Sequence, residues 1–169
     1  MPVSKKKLRA VFDVELIEDD GEWPELAELT TDIDRAAAAV AEVIGGLEPG
    51  TVSVALSSDE EVALLNERFR GQAKPTNVLS FPPGAGAASG YLGDIVLART
   101  TVEREAHEQD VPLAHHVQHL VVHGMLHLLG YDHGTAADAE RMEELEVKIL
   151  SKLGLANPYT GALETGTSE

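Results

Sequence analysis

The spacing of hydrophobic and polar positions changes several times along the chain, and each change marks an element. Residues 10–17, AVFDVELI, alternate roughly as a strand does, and the acidic, proline-containing stretch after them reads as a loop. A helix is expected from about Thr31, where TTDIDRAAAAVAEVIGGL offers Thr and Asp caps, alanine-rich turns and a Gly45-Gly46 stop. TVSVALS from Thr51 is β-branched and alternating, a second strand. Ser58 or Asp59 then caps a helix through EEVALLNERFR that ends at Gly71. Pro75 opens an extended piece, PTNVLSFP, and YLGDIVLA from Tyr91 reads as a further strand. Between them PGAGAASG has the composition of a loop tip.

From Arg99 onward the period is helical. TTVEREAHEQ forms one amphipathic helix, and LAHHVQHLVVHGMLHLL from Leu113 a longer, largely apolar one with Pro112 near its first turn. A last helix, Ala136 to Leu153, sets Met142, Leu145, Ile149 and Leu153 on one stripe and stops at Gly154. No internal repeat or second-domain boundary is visible. The expected architecture is α+β (α/β-like): a single domain over residues 1–169, with residues 1–9 and 160–169 as frayed tails. Its sheet should be mixed, about four-stranded and covered by helices, with the histidine-bearing helix central.

Charge changes this picture in one respect. Thirteen basic against 29 acidic residues give a formal net charge of −16, which argues against coating nucleic acid by bulk electrostatics. The distribution is uneven, however. Acids crowd between Asp13 and Asp34 and from Glu140 to Glu146, whereas Arg68, Arg70 and Lys74 form a small basic group. The lack of cysteine excludes disulfides and thiolate sites, leaving histidine and carboxylate as metal ligands. No apolar run reaches membrane-spanning length, and the basic start is followed by acids rather than an apolar stretch, so a cytoplasmic location is expected.

The densest chemistry lies in HGMLHLLGYDH, residues 123–133, which holds three of the seven histidines. His123 and His127, four apart on a helix, share a face and can aim their imidazoles at one point. Two nitrogens on a tetrahedral zinc lie roughly 3.3 Å apart, a gap this spacing can close. His133 joins them only if the chain turns, and Gly130 supplies a residue that can adopt the left-handed conformation ending a helix. Three protein ligands leave a position for water, as in catalytic zinc sites, although nickel also suits imidazoles. His115 and His119 extend the same face, making 119/123 a competing pair. His119 is otherwise a residue of the cleft or of the packing around it, and His107 and His116 read as surface residues. The ligand spacing matches that of metzincin peptidases, but Gly124 replaces their general-base glutamate. Gly124 implies close approach of substrate or of another backbone, or simply tight packing. Asp132 could orient a ligand imidazole, or bond its own backbone in a turn.

VVHGMLHLLGYDH resembles the signature of the YbeY family of bacterial metal-dependent endoribonucleases. LNERFRGQAKPTNVLSFP, LGDIVLA and AERMEELEVKILSKLG, closing near NPY, resemble that family in order and spacing over about residues 50–160. The resemblance implies a single-strand-specific endoribonuclease acting in 3′-end maturation of small-subunit rRNA and in ribosome quality control. It makes His123, His127 and His133 the ligands of one zinc ion, and Arg70 the arginine facing the metal cleft. The implied partners are single-stranded RNA, the small ribosomal subunit with its proteins, and a ribosome-assembly GTPase, with no membrane or DNA. Phosphodiester chemistry agrees, since a guanidinium can bind the charge that spreads over the equatorial oxygens. Arg70 and His123 are thus the expected catalytic residues. Arg70, Lys74, Asn77, Ser80 and His119 are candidates for binding RNA, each of the last four with a plainer structural reading as well. Two other functions compete. A non-catalytic assembly factor stabilised by its metal would accommodate the acidic surface, and a metallopeptidase would need another base.

Overall fold

The computed structural model describes residues 11–19, 22–71 and 76–159; Lys74 and the two tails lie outside these. Four strands, β1 (Phe12–Glu18), β2 (Gly50–Ser57), β3 (Val78–Phe81) and β4 (Tyr91–Ala98), form one sheet in the order β1-β2-β4-β3. The first three in that order run parallel, and β3 pairs antiparallel with β4 at the edge, with Ser80 opposite Ile95. The helices are α1 (Leu26–Ile44), α2 (Asp59–Arg70), α3 (Arg99–Gln109), α4 (Leu113–Leu128) and α5 (Ala136–Lys152). A mixed four-stranded sheet under helices is what the spacing of apolar residues predicts.

Residue alternation decides which helix covers which face. Val52, Val54 and Leu56 of β2 and Ile95 and Leu97 of β4 point into the main core with Leu29, Ile33 and Val40 of α1 and Val121, Met125 and Leu126 of α4. Leu79, Val96 and Ala98 point the other way and meet Val62 of α2. Residues 95–98 of β4 are therefore buried throughout, since apolar layers cover both faces of this strand. Each large aliphatic side chain removed from water in this way contributes about 1.5–3 kcal/mol. The histidine helix α4 packs against α1, α3, α5, β3 and β4, which makes it the central helix of the fold.

Local signals set most boundaries as expected. Ser58 caps α2 by accepting from the Glu61 N–H at 3.1 Å, acids fill the first turn, Arg68 and Arg70 fill the last, and Gly71 ends it at φ 72°. Asp59, the alternative cap, instead accepts from the backbone N–H and hydroxyl of Thr101, joining the starts of α2 and α3. One boundary differs: α1 begins at Leu26 rather than near Thr31. Thr30 and Thr31 do not cap it but donate back to the carbonyls of Leu26 and Ala27. Leu29 extends the apolar stripe of Ile33 and Val40 into the core, and burial of that leucine outweighs the threonine capping signal. Among the described residues no helix is long and apolar enough to cross a membrane.

Candidate active site

The end of α4 builds the turn that the histidines need. Gly130 at φ 105° follows the helix; its N–H bonds the His127 carbonyl, and the Tyr131 N–H reaches back to the Leu126 carbonyl at 3.0 Å. This pair of reversed bonds is a Schellman stop, and it turns His133 back toward the helix-borne pair. Ring centroids of His123 and His127 lie 4.6 Å apart, and that of His133 lies 5.6 and 5.7 Å from them. The Nε2 atoms of His123 and His127 are 3.1 Å apart. Of the two competing pairs, 123/127 is thus the one whose nitrogens meet.

The far sides of the His123 and His127 rings are tied down. His123 Nδ1 bonds the Glu146 carboxylate, which comes from α5 and has no exposed surface. His127 is held below the usual histidine range chiefly by burial, then by the His123 and His133 rings, against a backbone hydrogen bond at Tyr131. A neutral imidazole anchored on one nitrogen has its other lone pair free for a metal. As the side chains stand, no group of three or more His, Asp or Glu among the described residues is set to hold a metal ion. The donor chemistry and dimensions nevertheless fit zinc. Three imidazoles on one tetrahedral ion have centroids about 5 Å apart, close to the triangle observed, and His133 is exposed.

A cavity of about 850 Å³ opens beside the pair, lined by Arg70, Asn77, Ser80, His119, His123, His127 and Tyr159 among others. Among its described lining residues none is Asp or Glu, and Arg70 is the only Arg or Lys. Arg70 reaches the cavity from the last turn of α2. It donates from Nη2 to the Ser80 carbonyl at 2.9 Å and lies 5.8 Å from the Phe81 ring centroid, so its remaining donors are aimed rather than free to sweep solvent. The Ser80 hydroxyl donates to the Gly124 carbonyl at 3.4 Å, fastening β3 to α4. Asn77 lines the cavity while its amide donates to Glu105 at 3.0 Å.

Gly124 has a packing reason. A Cβ there would lie 3.0 Å from Ser80 Oγ and 3.1 Å from Ile95, so glycine lets α4 settle onto β3 and β4. Asp132 accepts from the Gly134 N–H at 2.8 Å, bonding its own backbone in the turn. His119 lines the cavity with Nε2 3.7 Å from Glu146. His116, read from sequence as a surface residue, is buried at 4% exposure and bonds Glu105 at 2.8 Å. Its side of α4 faces α3 rather than water, so the surface reading fails. Lys74 lies outside the described residues.

The sequence reading missed Glu146 and Tyr159. The signal for Glu146 was present: it stands four residues after Met142 and three before Ile149, a carboxylate inside an apolar stripe. Tyr159 offers no comparable pattern. It arrives through the turn in which Asn157 Oδ1 accepts from the Tyr159 N–H at 2.7 Å.

The family model described as Endoribonuclease YbeY matches residues 17–154. Proteins named Endoribonuclease YbeY from Allorhizobium ampelinum and Maricaulis maris are 49% and 45% identical to this chain. The alignments cover 89% and 86% of this chain and 96% and 91% of those proteins. A Thermotoga maritima protein whose structure was solved in solution is similar at a TM-score of 0.50 and 25% identity, over 93% of this chain and 99% of that one. On this agreement of sequence and fold, the chain belongs to the endoribonuclease YbeY family.

Proposed function

We propose that this member of the endoribonuclease YbeY family is a zinc-dependent enzyme that cleaves single-stranded RNA, with His123, His127 and His133 as the metal ligands. The observation that carries the reading is the pair of His123 and His127 nitrogens at 3.1 Å, opening onto a cavity with no Asp or Glu among its described lining residues, which Arg70 enters from α2. When bound, the ion supplies a Lewis acid that acidifies water and polarises a phosphoryl oxygen.

The protein's own groups do the rest. Arg70, anchored on the Ser80 carbonyl, offers its remaining N–H groups to the phosphate and to the charge that grows on it during displacement. His119 and Tyr159 line the cavity beside the histidine pair, and Asn77 and Ser80 form the β3 wall along which a strand can lie. Lys74, on the segment between α2 and β3, adds a charge for the flanking phosphate. With so few cations the enzyme holds RNA weakly by itself, so a ribosomal protein or assembly GTPase supplies much of the target choice. Maturation of the small-subunit rRNA 3′ end and ribosome quality control are the proposed tasks, and their support is the resemblance of the motifs. A cytoplasmic location follows from that role.

Two assays test the reading. Purified protein should cleave a single-stranded RNA and spare its duplex, lose that cleavage on chelation, and regain it when zinc is restored. Nickel restoring more cleavage than zinc would replace the metal but keep the mechanism, and cleavage indifferent to chelation would sink it. The ends identify the nucleophile: a 2′,3′-cyclic phosphate with a 5′-hydroxyl implicates the ribose hydroxyl, a 5′-phosphate with a 3′-hydroxyl implicates water.

A further inference from the structure

A carboxylate in the middle of an apolar stripe is costly, so its position calls for a reason. Met142, Leu145, Ile149 and Leu150 of α5 are buried in the main core, and Glu146 among them has no exposed surface. Removing a carboxylate from water costs several kcal/mol unless its oxygens are bonded, and an apolar residue of similar size would serve the packing of α5 at least as well. The cost is met on both oxygens. Oε2 takes the His123 ring through Nδ1, and Oε1 accepts from the Tyr159 hydroxyl, with His119 Nε2 at 3.7 Å. The Tyr159 hydroxyl is pushed well above the ordinary tyrosine range by burial and by that carboxylate, so it stays a donor.

We propose that Glu146 is a positioning residue: it holds His123 in the tautomer protonated at Nδ1, with Nε2 facing the cavity, and Tyr159 holds Glu146 in place. The geometry is specific to that task. A neutral imidazole whose Nδ1–H is bonded to a fixed carboxylate presents Nε2 as a lone pair, and Nε2 is the atom that meets His127 at 3.1 Å. The ring is also fixed in direction, because its partner sits on another helix rather than on a mobile loop. Tyr159 gives the segment after α5 a part in the site: Asn157 closes the turn that brings the tyrosine back over Glu146. The inference rests on the metal-centre reading for its consequence but not for its first observable, which belongs to the metal-free protein.

The experiment is long-range ¹H–¹⁵N NMR of the histidine rings in metal-free protein, with zinc affinity by chelator competition, for wild type, Glu146→Gln and Tyr159→Phe. Wild-type His123 should show a protonated Nδ1 and a bare Nε2. Glu146→Gln should stay folded, since glutamine keeps the volume and one acceptor, yet bind zinc about 10–100-fold more weakly, and Tyr159→Phe should fall between. A His123 protonated at Nε2 in wild type overturns the proposal, as does wild-type zinc affinity in a folded Glu146→Gln. If Glu146→Gln fails to fold, the wild-type tautomer and the Tyr159→Phe affinity still decide it. Should wild type bind no zinc while His123 shows the expected tautomer, the metal reading fails and the positioning role survives.

Discussion

His123 lies within α4 and His133 beyond its end, and the two are held in different ways. His123 is half-buried on α4, with its ring gripped by a carboxylate on α5. His133 is exposed and follows the glycine turn, and its place is set by the backbone path from Leu126 to Tyr131. The contrast divides the site into a preorganised half, in which packing fixes the nitrogens, and a half that a ligand can complete. A site arranged this way can let a metal in without unfolding.

The largest effect should come from breaking the preorganised half. His127→Ala should reduce cleavage to the level of metal-stripped protein, while His133→Ala should retain weaker zinc binding and melt within about 1 kcal/mol of wild type. Unfolding of His133→Ala would instead favour a metal that serves only stability. Chelator competition and thermal melts read both.

Two glycines sharpen the comparison through the backbone. Gly93 sits at φ 136°, and a Cβ there would come 2.3 Å from the Phe81 carbonyl oxygen and 2.9 Å from Leu128, next to His127. Gly93→Ala should therefore cost about 2–4 kcal/mol in urea unfolding, since the atom it strikes is backbone and cannot swing aside. Gly130 has open space but φ 105°, so Gly130→Ala should cost only about 1–2 kcal/mol and act mainly through displaced His133, lowering zinc affinity. Equal stability losses at the two positions would contradict the division.

A smaller effect concerns His116, on the buried side of the same helix. Its pKa is lowered by burial, against the pull of Glu105, so below 6.5 the unfolded chain takes up a proton that the folded one refuses. That contribution is present above 6.5 and fades as pH falls through the lower folded value. The stability lost between about pH 7.5 and about pH 5.5 should be smaller in His116→Gln than in wild type.

How legible each half was follows the same line. The helix pair and the glycine turn are periodic, local features, so residues 123–133 announce them, as Ser58 and Gly71 announce α2. Leu26–Thr30 was misread because tertiary burial of Leu29 outweighed a local capping signal. Glu146 joins His123 from 23 residues away, and His116 meets Glu105 across a helix–helix contact, so both depend on packing that no local pattern encodes. Arg70 was legible as one of a small basic group and, through the family resemblance, as the arginine of the cleft, but its anchor on the Ser80 carbonyl required the register of β3.

The most direct test of the central claim separates the metal from the phosphate-binding charge. Bound zinc and cleavage of a single-stranded RNA would be measured together for wild type, His127→Ala and Arg70→Ala. The account predicts about one zinc per chain in wild type and in Arg70→Ala, little in His127→Ala, and cleavage in wild type alone. A wild type that binds zinc but cleaves nothing, or an Arg70→Ala that cleaves as well as wild type, would contradict it.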